Sequence, residues 1–321
     1  MADAIPQETG RGREAEKPHQ IPASGWKDIV LRSWQEIGEN NIFLVTGGVT
    51  YAVLLALFPG LAALVSLYGL VFDPGQVEQQ VAGLSGVLPE QGQKLLSDQL
   101  HSLVTAPSGA LGLSAILGLV LALWSASRGM SGMITALNIA YGQKESRGFF
   151  RFNLVAIGLT VGMVLGGIAV ISLVAVLPAL IETIGIGAVA KWLLLILEWP
   201  LLAAIMISGL AVLYRYAPDR DEPSWQWVSP GAITGTVLWI IGSIAFTIYV
   251  ANFNNYDKTY GSLGGVVVLL TWLYLSVFVI LLGAVINTQA ERQTRQDTTT
   301  GPPRPMGERG AFAADTVGES R

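Results

Sequence analysis

Six apolar runs, each near or beyond the length of a bilayer crossing, leave this chain few ways to fold. They are Ile42–Phe72, Ala110–Ala126, Phe152–Leu177, Val189–Ala217, Pro230–Val250 and Leu263–Ile286. A helix needs about 20 apolar residues to cross roughly 30 Å of hydrocarbon. Within that layer every backbone N–H and C=O must be paired inside the protein, which restricts crossings to helices or closed barrels. Runs this long and this continuous are helical. Composition agrees: only 13% of residues are charged and the mean hydropathy is +0.51, where a soluble domain carries about a quarter charged residues. The expected fold is an all-α integral membrane protein with six transmembrane helices and additional amphipathic interfacial helices.

Orientation follows from the basic residues. Of 19 Lys and Arg, all but Lys94, Lys191 and Lys258 fall before the first run, between the second and third, at the end of the fourth or between it and the fifth, or after the sixth. Short joints rich in Lys and Arg stay on the cytoplasmic side. Both termini are therefore expected in the cytoplasm, with the chain multi-pass in the cell inner membrane.

Residues 1–25 and 291–321 are polar and rich in Gly, Pro, Thr and charge, a composition that predicts disordered tails flanking a membrane domain over 26–290. The first tail lacks an apolar centre, so it does not read as a signal peptide. In Trp26–Asn40 the residues Trp26, Ile29, Val30, Trp34 and Ile37 share one helical face, which predicts a helix lying at the inner interface. Gly129–Tyr141 has a comparable stripe of Met130, Met133, Ile134, Leu137 and Tyr141. The long outer joint Asp73–Ser108 carries two further short helical patterns, one starting at Pro89.

The first run is too long for a straight crossing, since 31 residues would extend roughly 46 Å. Pro59 removes a backbone donor within it, and Pro200 does the same in the fourth run, so both are expected kinks. Gly158, Gly162 and Gly166 form a ridge along the third run, and Gly231 with Gly235 a shorter one on the fifth. Such small residues allow close helix contact and permit homo-oligomers.

Ionisable groups in hydrocarbon cost about 2.5–3.5 kcal/mol each on insertion scales, which makes them functional candidates. Glu198, in LLLILEWPLL, lies either inside the outer leaflet or at the interface beside Trp199. Arg128 and Arg215 end the second and fourth runs on the inner side. Each can snorkel to lipid phosphates, or together they can form an anion-attracting inner mouth. The outer joint NFNNYDKTYGS supplies Asn252, Tyr256, Asp257, Lys258 and Tyr260, either as a hydrogen-bonding outer mouth or as a self-satisfied turn. Together these residues form a candidate substrate pathway.

Other chemistries find no residues here. The chain has no Cys, which excludes disulfides and thiolate chemistry. Its two histidines, His19 and His101, form no His-x-Glu or His-x-x-x-His pair. No glycine-rich phosphate loop or nucleophile triad is present. The net charge of −4 gives no basic footprint for nucleic acid. The expectation is a protein without catalytic activity, cofactor or metal, whose partners are membrane lipids and an unidentified lipid or solute.

Three long stretches resemble the bacterial YihY/BrkB family of inner-membrane proteins. They are LWSASRGMSGMITALNIAYG (Leu123–Gly142), LYRYAPDRDEPSWQWVSPGA (Leu213–Ala232) and NFNNYDKTYGSLGGVVVLLTWLYLSVFVILLGA (Asn252–Ala284). TGGVTYAVLLALFPGL (Thr46–Leu61) matches more loosely, and the resemblance runs from about Trp26 to Arg292. It implies a six-helix membrane fold. Members once carried the label ribonuclease BN, regarded as a misassignment, and others are linked to serum resistance and to export of envelope lipids or solutes. The resemblance therefore implies transport or lipid translocation, with a non-transporting envelope scaffold as the competing reading. Family members commonly carry a glutamate where this chain has Val285, in LLGAVINTQ. Any proton coupling or salt bridge through that glutamate is absent here.

Overall fold

A computed structural model describes residues 10–69, 113–184, 188–252 and 264–320. Seven long helices account for most of them: α1 (Ala23–Glu39), α2 (Ile42–Gly69), α3 (Leu113–Ala140), α4 (Phe149–Ile184), α5 (Ala188–Tyr216), α6 (Trp225–Asn252) and α7 (Gly264–Glu291). A one-turn helix, α8 (Phe312–Asp315), lies in the C-terminal segment. Among the described residues there is no strand, only an isolated bridge between Pro223 and Thr299.

Four stretches are long and apolar enough to cross a membrane: Phe149–Val174, Leu197–Tyr216, Trp225–Ala251 and Gly264–Glu291. A fifth is reached if α1 and the start of α2 count as one broken span, bent by 67°. That bend lies just before the first run, between α1 and α2. It falls at Asn40–Asn41, where Asn41 adopts a φ of 49°, the left-handed region that asparagine tolerates better than most residues. The helices containing Pro59 and Pro200 run through both prolines without interruption.

The core forms where small residues let helices touch. A Cβ on Gly231 of α6 would drive into the Gly283 carbonyl and the Asn287 carboxamide of α7. Gly235 lies further along the same face, with Leu210 and Tyr214 at 3.4 Å from such a Cβ. Tyr214 of α5 closes the junction by donating its hydroxyl to the Ile280 carbonyl at 2.8 Å. Gly129 of α3 packs just as closely on Ala56 of α2.

The expected ridge on the third run is not used this way. A Cβ on Gly158, Gly162 or Gly166 would meet nothing within 4 Å. Buried instead are Ala156, Thr160 and Val164. These stand two residues from the glycines, which is about 200° around a helix, so the glycines point away from the bundle. The face of Ala156, Thr160 and Val164 is the packing face.

Two further expectations need correction. Gly129–Tyr141 is not a separate amphipathic segment but the last three turns of α3, with Met130, Met133, Ile134, Leu137 and Tyr141 all buried. The tails, where described, are folded. Backbone bonds join Arg295 N to Arg13 O and Gly318 N to Arg292 O, each at 2.8 Å. The Thr294 hydroxyl donates to Ala15 O at 2.7 Å. The polar tails pair with each other and with polar residues at the ends of α1 and α7. Composition scores such groups as solvated, whereas here they are mutually satisfied.

Helix α1 is correspondingly two-sided. Ile29 and Ile37 are buried, but so are Asp28 and Arg32, while Trp34 is 74% exposed beside exposed Val30. Asp28 receives both Arg11 bonds, at 2.7 and 2.8 Å. Arg32 donates to the Gln289 side chain, to Gln293 and to the Glu319 carbonyl.

Candidate functional site

The ends of α1, α3, α5 and α7, the joints 141–148 and 217–224, and both tail segments converge on one polar end. Its centre is Arg220 with Glu291, a bidentate pair at 2.7 and 2.9 Å with both side chains fully buried. Burial pulls the Arg220 value down, but the facing Glu291 carboxylate more than offsets it and the net shift is upward. Arg220 also lies 5.3 Å over the Tyr141 ring. Burial, then the nearby Glu291 charge, pushes the Tyr141 phenol up. Thr298 adds a hydroxyl bond to Glu291 at 2.7 Å.

A second group ties the two joints together. Arg147 bonds Glu145 at 2.7 Å and lies 3.7 Å from Asp219. Asn138 bridges both joints, donating to Glu145 at 2.8 Å and accepting from Asp219 N at 2.7 Å. Burial pushes the Glu145 carboxyl up, but Arg147 and Asn138 outweigh it and the net shift is downward. Asp219 behaves likewise, with Ser146 and Arg147 outweighing its burial. Carboxylates held this way are poor proton acceptors near neutral pH. This end is built to hold helix ends together.

The sequence candidates distribute unevenly around this frame. Arg215, at the end of α5, is 7% exposed and bonds Glu222 at 2.8 Å, with the Pro223 carbonyl as another acceptor and Trp225 beneath it at 4.7 Å. Its charge is matched locally, so an anion-attracting pair with Arg128 does not form. Arg128 is exposed on α3 and donates to Asn153 at 3.0 Å. Glu198 is half-buried within α5 beside exposed Trp199, with no hydrogen bond among the described residues. Asn252 ends α6. Tyr256, Asp257, Lys258 and Tyr260 lie outside the described residues, as do the short helical patterns of 73–108. Val285, where the resemblance implies glutamate, is fully buried in the apolar core.

One cavity was not anticipated from sequence. A groove of about 330 Å³ runs between α2 and α7, lined by Gly47, Thr50, Tyr51, Leu270, Thr271 and Tyr274. Its threonine hydroxyls turn back onto their own helices, Thr50 to Thr46 O at 2.7 Å and Thr271 to Val267 O at 2.8 Å. They therefore present mainly methyl groups. The Tyr274 hydroxyl donates to Phe43 O at 3.0 Å. Gly47 has open space where a Cβ would stand, and that space widens the groove. Thr-Gly-Gly followed by Thr-Tyr at helical spacing was the available signal, hidden among 37 glycines. Among the described residues no cluster of His, Asp or Glu could hold a metal ion.

Apolar helices wide enough for a bilayer, joined by small-residue contacts and fastened by a paired polar end, define an all-helical membrane protein. Comparison with known proteins narrows the class. The chain belongs to the BrkB family: the family model described as "Virulence factor BrkB" matches residues 33–307. It is 33% identical to the ribonuclease-like protein YfkH of Bacillus subtilis strain 168 over 253 residues, 76% of this chain and 88% of that protein. It is 25% identical to a UPF0761 membrane protein of Idiomarina loihiensis over 271 residues, covering 82% of this chain and 90% of that one. A UPF0761 membrane protein of Pseudoalteromonas atlantica is 26% identical over 283 residues, covering 82% and 89%. No solved structure matches the chain.

Proposed function

We propose that this protein is a six-span inner-membrane protein, both termini cytoplasmic, that transports or translocates an envelope lipid or small solute. The observation that carries the reading is the groove between α2 and α7, mainly methyl-lined with tyrosines along it. An acyl chain or apolar solute can enter such a cleft sideways from lipid, where a purely structural interface would be filled. The basic residues gathered at the polar end support a cytoplasmic placement of that end. On this reading Asn252, Tyr256, Asp257, Lys258 and Tyr260 form the opposite mouth, with Glu198 near it, and the energy source does not run through position 285.

The test compares deletion cells with cells complemented by the parent or by Gly47→Leu, profiling envelope lipids and cytoplasmic solutes. Gly47→Leu fills the groove without meeting a neighbouring atom at its Cβ. The parent is expected to restore one trapped lipid or solute and the variant to fail while inserting normally. Full restoration by Gly47→Leu removes the groove as the path. A second reading, a scaffold without flux, is favoured by the outward ridge of Gly158, Gly162 and Gly166, which suits a second helix. It predicts that Gly162→Leu disrupts function and a copurifying partner or second copy while Gly47→Leu does not.

A further inference from the structure

Six arginines at the polar end are matched to acids within the chain: Arg11 to Asp28, Arg147 to Glu145, Arg215 to Glu222, Arg220 to Glu291, Arg292 to Glu36 and Arg304 to Asp221. Arg128 is held differently. Its Nη2 donates to Asn153 Oδ1 at 3.0 Å, and its guanidinium carbon lies 4.3 Å from the Trp124 ring centroid. No carboxylate reaches it among the described residues. Asn153 is itself fixed, being buried with its Nδ2 donating to Phe149 O at 2.7 Å. One edge of the guanidinium is thereby oriented, one face is covered by indole, and its remaining donors are left for something outside the chain.

The surroundings say what that something is. Arg128 is exposed; Trp124 and Leu121, also exposed, precede it by about one and two turns of α3, and exposed Phe149 and Phe150, the latter at 87%, open α4, whose Asn153 it bonds. That setting is apolar and aromatic, the composition of the level where hydrocarbon meets headgroups. Arg128 lies 12 residues before the end of α3, or about 18 Å along the axis, level with the first turn of α4. That turn adds the partial positive charge of a helix N-terminus. A cation at the edge of hydrocarbon with no internal acid is strongly favoured by an external anion. A planar fork with free donors suits phosphate oxygens taken two at a time.

We propose that Arg128, positioned by Asn153 and Trp124, is a binding site for the phosphate of an anionic phospholipid. The lipid is held there with its acyl chains along Leu121, Phe149 and Phe150. The site is separate from the groove between α2 and α7 and does not depend on what, if anything, passes through it.

The experiment titrates the purified full chain in neutral detergent with phosphatidylglycerol or phosphatidylcholine carrying the same brominated acyl chains, following tryptophan quenching. Phosphatidylglycerol is expected to quench the parent at lower concentration than phosphatidylcholine. Arg128→Gln should weaken phosphatidylglycerol by about tenfold or more, the scale of losing a charge-assisted bidentate contact, and abolish the preference. Arg128→Lys, which keeps the charge but not the fork, should fall between, and it stands in if the glutamine variant does not insert. Equal quenching by the two lipids in the parent overturns the proposal, as does an unchanged preference in Arg128→Gln or, in its stead, Arg128→Lys. Millimolar inorganic phosphate that abolishes phosphatidylglycerol binding would overturn the lipid assignment in favour of a free-anion site.

Discussion

Glu291 closes α7 with both carboxylate oxygens on Arg220 and one also receiving the Thr298 hydroxyl. Glutamine in its place keeps the shape but removes the charge, leaving the fully buried Arg220 without a counter-ion. Coulomb attraction across about 4 Å at an effective dielectric near 20 is about 4 kcal/mol. Removing one partner of a buried pair costs about 3–5 kcal/mol, so the two figures agree. The strain falls on the joint 217–224 and the C-terminal segment, which Thr298 and the Arg304–Asp221 pair bind to it. Because the chain has no cysteine, a single cysteine at fully buried Ala313 reports opening through its maleimide labelling rate. A loss of 3 kcal/mol corresponds to a rise of about 160-fold. Removing both charges, as in Arg220→Met with Glu291→Leu, should return labelling most of the way to the parent rate, since apolar replacements of buried pairs are often neutral. Labelling of Glu291→Gln as slow as the parent, or a double variant no slower than the single, would refute the reasoning.

Other outcomes follow from the same geometry. Gly231→Val, which collides with the Gly283 carbonyl and Asn287, should cost about 3 kcal/mol or more and be read as lost monodisperse yield in detergent. Gly158→Val, with open space around it, should change thermal stability by under about 1 kcal/mol. Glu145 and Asp219 have lowered carboxyl values in the folded protein, so their contribution is present above the ordinary values of 4.5 and 3.8 and is lost as pH falls through the lowered ones. Hydrogen exchange in the joints 141–148 and 217–224 should therefore be slow at pH 5 and accelerate, relative to the α6–α7 core, as pH falls below those ordinary values. A constant ratio across that range would contradict the assignment.

The long helices were legible because a continuous apolar backbone in lipid must pair its own polar groups, although α3 runs 14 residues past its apolar run, to Ala140, and α4 seven past its own, to Ile184. Gly231 does pack closely on α7, though nothing in the sequence sets it apart from glycines that do not. What misled was anything requiring knowledge of a partner. The glycines at 158, 162 and 166 look identical in sequence to a packing ridge, and only the neighbouring helices decide that Ala156, Thr160 and Val164 face inward. Asp28 and Arg32 read as the solvated side of an amphipathic helix, yet Arg11, Gln289 and Gln293 lie far away in sequence and close in space. The groove was invisible for the opposite reason: it consists of the space between two faces, and Gly47 contributes to it by what it lacks.

The pairing of Thr294 with Arg13 and Ala15 spans 281 and 279 residues, which sets an order of events during synthesis. At about 5–20 residues per second, roughly 15–55 s separate emergence of the first partner from emergence of the second. Arg13 in the leading segment and Arg32 of α1 must wait until every intervening helix has been made before their partners Gln289 and Gln293 exist. These pairings of the polar end thus cannot form until residues 289–294 have been synthesised. A chain that stalls, loses its final segment or inserts one helix the wrong way round would present buried-type polar groups to the protease and chaperone machinery, and the completed contact works as a signature of full-length, correctly oriented product.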